Sequence, residues 1–315
     1  MISIVIPLFN EEENVKQLYS RLTGCSPLWK EDYEIIFVDD GSYDETLPML
    51  HDICSTDKHI KTIKLSRNFG HQAAISAGIM HAKGDAVIIM DGDLQDPPEE
   101  LPRFLEKWRE GYHVVFAIRQ KRKETLLKKI CYRTFYRLLR MISDINIPLD
   151  SGDFCVMDKK VVKVLNKELV EHSRFVRGLR AYAGFRQIGV KYERSERAAG
   201  EVKYTFKKLL KLALDGLLDF SVFPLRLATY IGFMIAFPSF IVGLFFIIHR
   251  IFNFKFLGYS PSDTPGLASL AVGVFFLGGV IMVMLGVIGE YIGRIYFEVK
   301  KRPFYIIDEI DLNDS

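Results

Sequence analysis

Apolar positions along this chain follow two different rhythms. In the first 120 residues, short β-rich runs at Ile2–Ile6, Glu34–Val38, Ile60–Leu65, Ala86–Met90 and Val114–Ala117 predict strands. Helical patterns fall between them, at Glu12–Thr23, Glu45–Thr56, Gln72–Ala82 and Pro98–Glu110. Regular alternation of this kind predicts a Rossmann-like, mostly parallel sheet with helices on both faces. In such sheets ligands bind at the C-terminal ends of the strands.

The second rhythm is unbroken apolarity. Leu227–Ile248 and Gly266–Gly289 hold 22 and 24 residues without a charge. About 20 residues cross the roughly 30 Å hydrocarbon core, so both runs are expected to be transmembrane helices, the first with a kink at Pro238. A pair of buried core helices is the alternative. Lys207, Lys208, Lys211 and Arg226 precede the pair, and Arg294, Lys300, Lys301 and Arg302 follow it. The connecting loop carries only Arg250 and Lys255. Positive charge marks the cytoplasmic side, so both the N-terminal region and the tail are expected there, in a multi-pass protein of the plasma membrane. Phe206–Phe223 has apolar residues at helical spacing with lysines along one side, as in a helix lying on a membrane surface or packed on the soluble domain. The expected plan is a cytoplasmic domain over 1–205, an interfacial helix over 206–225, a two-helix membrane region over 226–296 and a tail over 297–315. Small residues from Gly273 to Gly279 are compatible with helix–helix contacts in a homo-oligomer.

Bulk composition changes this picture little. The 315 residues are 49% hydrophobic and 26% charged, too apolar for a disordered chain. A net charge of +3 gives no sign of a nucleic-acid partner. The opening ISIVIPLF run followed by acidic NEEEN lacks the basic start and cleavage site of a signal peptide. Cys25, Cys54, Cys131 and Cys155 have no CxxC or His spacing and fit reduced structural thiols.

Chemistry gathers at the predicted strand ends. They carry Pro7-Leu-Phe-Asn10-Glu11, Asp39-Asp40-Gly41-Ser42, Ser66-Arg-Asn68-Phe-Gly70 and Asp91-Gly92-Asp93-Leu-Gln95-Asp96. Any one tip is explained by helix capping, which is enough for Asp44 or Asp96. Four polar tips on one rim make a site. Asp91 and Asp93, separated by one small residue, can present oxygens to a hard divalent cation such as Mg²⁺ or Mn²⁺. A metal there would neutralise charge building on a departing diphosphate.

The series IVIPLFNEE, FVDDGSYDET, LSRNFGHQAA, GDAVIIMDGDLQDPPE and LDSGDFCVMD resembles the family-two glycosyltransferases of the GT-A fold. More narrowly it is similar to the polyprenyl-phosphate glycosyltransferases, the group with dolichyl-phosphate mannose synthase and bacterial bactoprenol glucosyltransferases. The resemblance implies that Pro7, Glu11, Asp39 and Asp40 form the nucleotide pocket, with Asp40 sharing that duty or ordering its loop. Asn68 and Gln72 would line the donor side. Asp91 and Asp93 would hold the metal, with Gln95 a further contact, and Asp153 would face the acceptor. Arg119 and Arg133 resemble arginines that hold a lipid phosphate. Arg197 and Lys203 fall in a loop that closes over the donor in relatives, although Val202 stands where Ser is usual.

A lipid phosphate is already an anion at neutral pH and needs no strong base, so Asp153 is expected to position the sugar or acceptor as much as to take a proton. Arg119 to Arg140 carries nine basic residues near helical spacing, read as a membrane-facing basic helix or a solvated face. The implied activity is inverting transfer of a hexose, glucose from UDP-glucose first, to undecaprenyl or another polyprenyl phosphate. A GDP-mannose or modified-arabinose donor keeps the chemistry. A processive synthase is disfavoured by the missing QxxRW motif, and a membrane-tethered nucleotide-sugar binder without catalysis is the non-enzymatic alternative.

Overall fold

A computed structural model describes residues 1–120, 151–171, 174–193, 223–252 and 266–311. The chain forms two compact units, Met1–Phe220 with Lys301–Ser315, and Ser221–Lys300.

In the first unit, β1 (Ile2–Leu8), β2 (Tyr33–Asp39), β3 (Ile60–Leu65) and β4 (Ala86–Ile89) run parallel in the spatial order β3-β2-β1-β4. Every residue of β1 and β4 is buried, as continuous apolar runs require when helices cover both faces. Alternate side chains serve opposite layers. Ile2, Ile4 and Ile6 pack with Leu18, Leu22 and Trp29 of α1 (Glu12–Trp29), Leu50 of α2 (Thr46–Thr56) and Phe104 of α4 (Leu101–Arg109). Val5, Ile36 and Val38 pack with Ala74, Ile75 and Ile79 of α3 (His71–His81). These elements match the predicted pattern within a few residues at most ends.

The completed sheet keeps the expected mostly parallel form, with six of its eight strands running one way and two reversed. β5 (Val114–Gln120) and β7 (Gln187–Glu193) are parallel to each other, but β6 (Ser151–Asp158) runs antiparallel between β4 and β5. β8 (Ile307–Asp311), from beyond the apolar helices, adds antiparallel to the β3 edge. The result is a mixed eight-stranded sheet, β7-β5-β6-β4-β1-β2-β3-β8. Two short helices, α5 (Lys159–Lys167) and α6 (Val176–Tyr182), follow β6.

The basic segment does not begin as a helix at Arg119. The β5–β7 ladder carries the strand through Arg119, opposite Tyr192, and Gln120. The rest of that segment, including Arg133, lies outside the described residues, as do residues 194–222 with Arg197, Lys203 and the expected interfacial helix. Cys25, Cys54 and Cys155 are buried thiols. Cys131 lies outside the described residues.

The second unit holds α7 (Phe223–Phe252) and α8 (Gly266–Lys300), one for each uncharged run. Among the described residues, one stretch, Phe276–Lys300, is by length and composition able to cross a membrane.

Candidate active site

The chain passes from β1 outward to β2 and β3, then returns to place β4 on the other side of β1. That reversal opens a crevice at the C-terminal ends of β1 and β4, where α/β sheets bind ligands. Register aligns the rim: Leu8 pairs with Asp39 and Val5 with Ile89, while Asp40 N–H donates to Leu8 O at 2.9 Å.

The β1 and β2 tips are laced together. Asn10 N–H donates to Ser42 Oγ at 3.0 Å, and Tyr43 N–H donates to Asn10 Oδ1 at 2.9 Å. Glu11 N–H reaches Thr46 Oγ1 at 2.9 Å, and Glu11 Oε2 accepts from Asn14 Nδ2 at 2.6 Å. Pro7 is buried within β1. Asp39 is fully buried, with its two oxygens 3.2 and 3.3 Å from Ser42 N. Burial pushes its carboxyl upward, and the hydrogen bonds from Ser42 oppose this only in part.

Asp40 faces the other way, into the β3 tip. Its oxygens accept the N–H groups of Phe69 at 2.7 Å and Gly70 at 2.9 Å. Burial raises this carboxyl despite those two bonds. Gly41 has φ +70, and a Cβ there would lie 2.7 Å from the Arg67 carbonyl carbon. The close approach of these two tips therefore requires glycine. Of the two duties expected of Asp40, this geometry displays the ordering of the loop. Asn68 is exposed in that loop.

Asp91, Gly92 and Asp93 follow β4, anchored where Met90 N–H donates to Val5 O at 3.1 Å. A Cβ on Gly92 would lie 2.2 Å from Leu8 Cδ2, so the turn rests directly on β1. Asp93 Oδ1 accepts Gln95 N–H at 3.1 Å. Leu94 holds φ +61 while buried, a strained placement of the kind that marks functional loops. Asp96 is not a helix cap. It is fully buried and accepts the Tyr192 hydroxyl, which joins this loop to β7.

Asp91, Asp93 and Gln95 offer two carboxylates and an amide oxygen, hard donors of the kind Mg²⁺ or Mn²⁺ takes. Among the described residues no three His, Cys, Asp or Glu side chains form a complete cage. A cation held here would complete its shell with water or ligand oxygens, as phosphate-bound Mg²⁺ does.

Tertiary structure brings Asp153 of β6 to the same rim. Gln72 Nε2 lies 3.4 Å from its Oδ2, His71 Nε2 lies 3.6 Å from the same oxygen, and Arg177 Nη2 lies 3.4 Å from Oδ1. His71 Nε2 is also 3.5 Å from Asp91 Oδ1. Burial works against the charge on Asp153, but Arg177, His71 and Arg180 outweigh it and hold the carboxyl far below the usual range. For His71, whose side chain is still 41% exposed, partial desolvation opposes protonation, while Asp153, Asp91 and Asp40 overcome it and raise the ring to about 9. His71, Arg177 and Arg180 are the site residues that sequence reasoning missed. Arg177 and Arg180 stand one helical turn apart in RFVRGLR, a signal that is easily read as a solvated face.

A family model described as glycosyl transferase family 2 matches residues 3–165. The uncharacterized glycosyltransferase YkcC of Bacillus subtilis (strain 168) is 46% identical over 308 residues, covering 98% of this chain and 93% of that protein. The bactoprenol glucosyl transferase of Shigella phage SfII is 42% identical over 307 residues, covering 97% of each. Among solved structures, the mannosyltransferase PcManGT of Pyrobaculum calidifontis, in complex with GDP-Man and Mn²⁺, is 17% identical with a TM-score of 0.45, over 64% of this chain and 57% of that one. The matched family residues contain the whole β1–β4 rim, Asp91-Gly92-Asp93 and Asp153, and on that ground the chain belongs to glycosyl transferase family 2.

Proposed function

We propose that this glycosyltransferase moves a hexosyl unit, glucose from UDP-glucose first, to a polyprenyl phosphate such as undecaprenyl phosphate at the cytoplasmic membrane face. One observation carries the reading: the Asp91-Gly92-Asp93 turn and Asp153 meet at the switch-point crevice, with His71 between Asp91 and Asp153. The name of the phage relative, bactoprenol glucosyl transferase, supports the sugar and the acceptor.

In this reading Pro7, Glu11 and Asp39 line the nucleotide pocket, with Asp40 holding the adjoining loop and Asn68 and Gln72 toward the donor. Asp91, Asp93 and Gln95 hold Mg²⁺ or Mn²⁺, which when bound supplies positive charge to the leaving diphosphate. Arg197 and Lys203 assist that diphosphate, and Arg119 and Arg133 hold the acceptor phosphate. The acceptor oxygen forms a bond to the anomeric carbon as the bond to the diphosphate oxygen breaks on the opposite face, inverting the centre. The anionic acceptor brings no proton to remove. Asp153, kept ionised by its cationic neighbours, orients the reacting groups.

Two membrane spans formed by α7 and α8 complete the proposal. The chain leaves the sheet unit before α7 and rejoins it at β8. A segment that departs from and returns to one domain crosses a membrane an even number of times, consistent with basic flanks on both outer ends.

The test is a donor screen with the full chain in detergent, polyprenyl phosphate, Mg²⁺ or Mn²⁺, and a panel of UDP- and GDP-sugars. Transfer of glucose from UDP-glucose, lost in Asp93→Asn, is the expected result. Preference for GDP-mannose would overturn the donor assignment, and metal-independent transfer by Asp93→Asn would overturn the role of the carboxylate pair.

A further inference from the structure

We propose that His71 is a positioning residue that ties the Asp91 carboxylate to Asp153, with Arg177 locking the far side of Asp153. The inference rests on the transfer reading above and adds to it residues that the strand-end pattern does not show.

Four elements supply this chain of contacts. Asp91 follows β4, His71 opens α3, Asp153 belongs to β6 and Arg177 to α6. His71 Nε2 sits almost midway between two carboxylate oxygens, 3.5 Å from Asp91 Oδ1 and 3.6 Å from Asp153 Oδ2. Both separations exceed a fully formed hydrogen bond of about 2.9 Å, so a small rotation tightens either contact at the expense of the other. The two carboxylates are thereby coupled through one ring.

Asp153 is flanked at both of its oxygens. Its Oδ2 also faces Gln72 Nε2 at 3.4 Å, and its Oδ1 faces Arg177 Nη2 at 3.4 Å. Gln72 Oε1 in turn accepts Val176 N–H at 2.9 Å, which sets α6 against α3. Arg180, itself buried, donates to Gly152 O at 3.0 Å and fixes the residue before Asp153. Adjacent residues of α3 thus hold the metal-side carboxylate, the acceptor-side carboxylate and the helix bearing Arg177. Either contact, once tightened to a hydrogen bond, would orient its carboxylate, and removing such an outer partner of a metal ligand typically costs about 10–100-fold in metal affinity or activity.

The test measures Mn²⁺ binding by electron paramagnetic resonance, with UDP present, on the full chain in detergent, alongside kcat and KM for transfer. His71→Ala is expected to weaken Mn²⁺ binding by about 10–100-fold and to lower kcat, with KM for polyprenyl phosphate little changed. His71→Gln, which keeps a side-chain N–H, recovers part of both. Arg177→Lys, which keeps the charge and loses the planar guanidinium, lowers kcat and leaves Mn²⁺ binding within a few-fold. Native Mn²⁺ binding and kcat in both His71 variants would overturn the inference while leaving the transfer reading intact. A native protein that binds Mn²⁺ with UDP yet transfers no sugar to polyprenyl phosphate would overturn the transfer reading instead. Loss of Mn²⁺ in His71→Ala would then still support the tie to Asp91. A native protein that binds no Mn²⁺ with UDP would overturn the tie to a metal-side carboxylate, and transfer with Mg²⁺ alone would still support the transfer reading.

Discussion

Gly70 N–H donates to Asp40 Oδ2 at 2.9 Å, so the residue at the N-cap of α3 is held by the tip of β2. The other oxygen of Asp40 is taken by Phe69 N–H. Replacing the carboxylate leaves both amides without this acceptor, at a cost of about 1–3 kcal/mol each when buried. Asp40→Ala should lower the melting temperature of the full chain in detergent and raise KM for the donor. Asp40→Asn, which retains one acceptor oxygen, should fall between it and the native protein. Equal melting temperatures for all three would remove the structural role.

The buried pair of Glu34 and Lys61 governs acid stability far from the rim. Lys61 Nζ lies 2.6 Å from Glu34 Oε2, and Glu34 also accepts from Ser3 Oγ and from Lys83 N–H at 2.7 Å. Burial opposes its charge, but these partners win and hold the carboxyl below its ordinary value. A lowered folded value means the contribution is complete above the unfolded carboxyl range near about 4.3 and is lost as pH falls through the folded value. Glu34→Gln should cost about 3–5 kcal/mol at neutral pH by leaving Lys61 buried without its anion. Its stability should also fall less steeply than that of the native protein on acidification. A parallel pair of stability–pH curves would refute the assignment.

Gly92 sets the position of the two aspartates on either side of it. An added methyl would meet Leu8 Cδ2 at 2.2 Å and Pro7 O at 3.3 Å, so the buried Leu8 side chain must repack or the turn must lift. Gly92→Ala should cost about 1–3 kcal/mol from overpacking and reduce transfer more than it reduces stability. The comparison to make is kcat against melting temperature. Native kcat in this variant would show that the turn tolerates displacement.

The surroundings of Asp153 separate positioning from proton transfer. With Arg177, His71 and Arg180 around it, the carboxyl stays ionised across the neutral range. The native pH–rate profile should therefore show no inflection belonging to Asp153 between pH 5 and about 8, well above a carboxyl held below its ordinary value near about 3.9. Asp153→Asn should lose rate and keep the native profile in what activity remains. A residual rate that climbs with hydroxide would instead mark Asp153 as a base.

β8 closes an edge of the sheet. It pairs antiparallel with β3, and Lys64 Nζ meets Asp308 Oδ2 at 2.6 Å. Truncation after Arg302 removes the strand and bares the β3 backbone, a ready template for intermolecular pairing. The truncated chain should melt lower and aggregate faster in light-scattering measurements. Unchanged melting and scattering would show the edge to be self-sufficient.

Local pattern alone determined the β1–β4 core, its helices and the polar strand ends, because alternating and continuous apolar runs report burial directly. It determined as well where the uncharged helices fall, and placed Asp91 and Asp93 together, since two residues apart in sequence cannot be far apart in space. Partners distant in sequence were decided by the tertiary structure. β6 enters antiparallel beside β4 and delivers Asp153 to a rim built 60 residues earlier in the chain. β8 arrives from beyond both apolar helices to cap β3. His71 reads as an ordinary first residue of a helix until Asp91 and Asp153 flank it, and Arg177 reads as a surface charge until Asp153 receives it. The physical reason is the same in each case. Periodicity records which face of an element leaves water, whereas the partner of a buried charge is fixed only when strand order and register bring separate elements together.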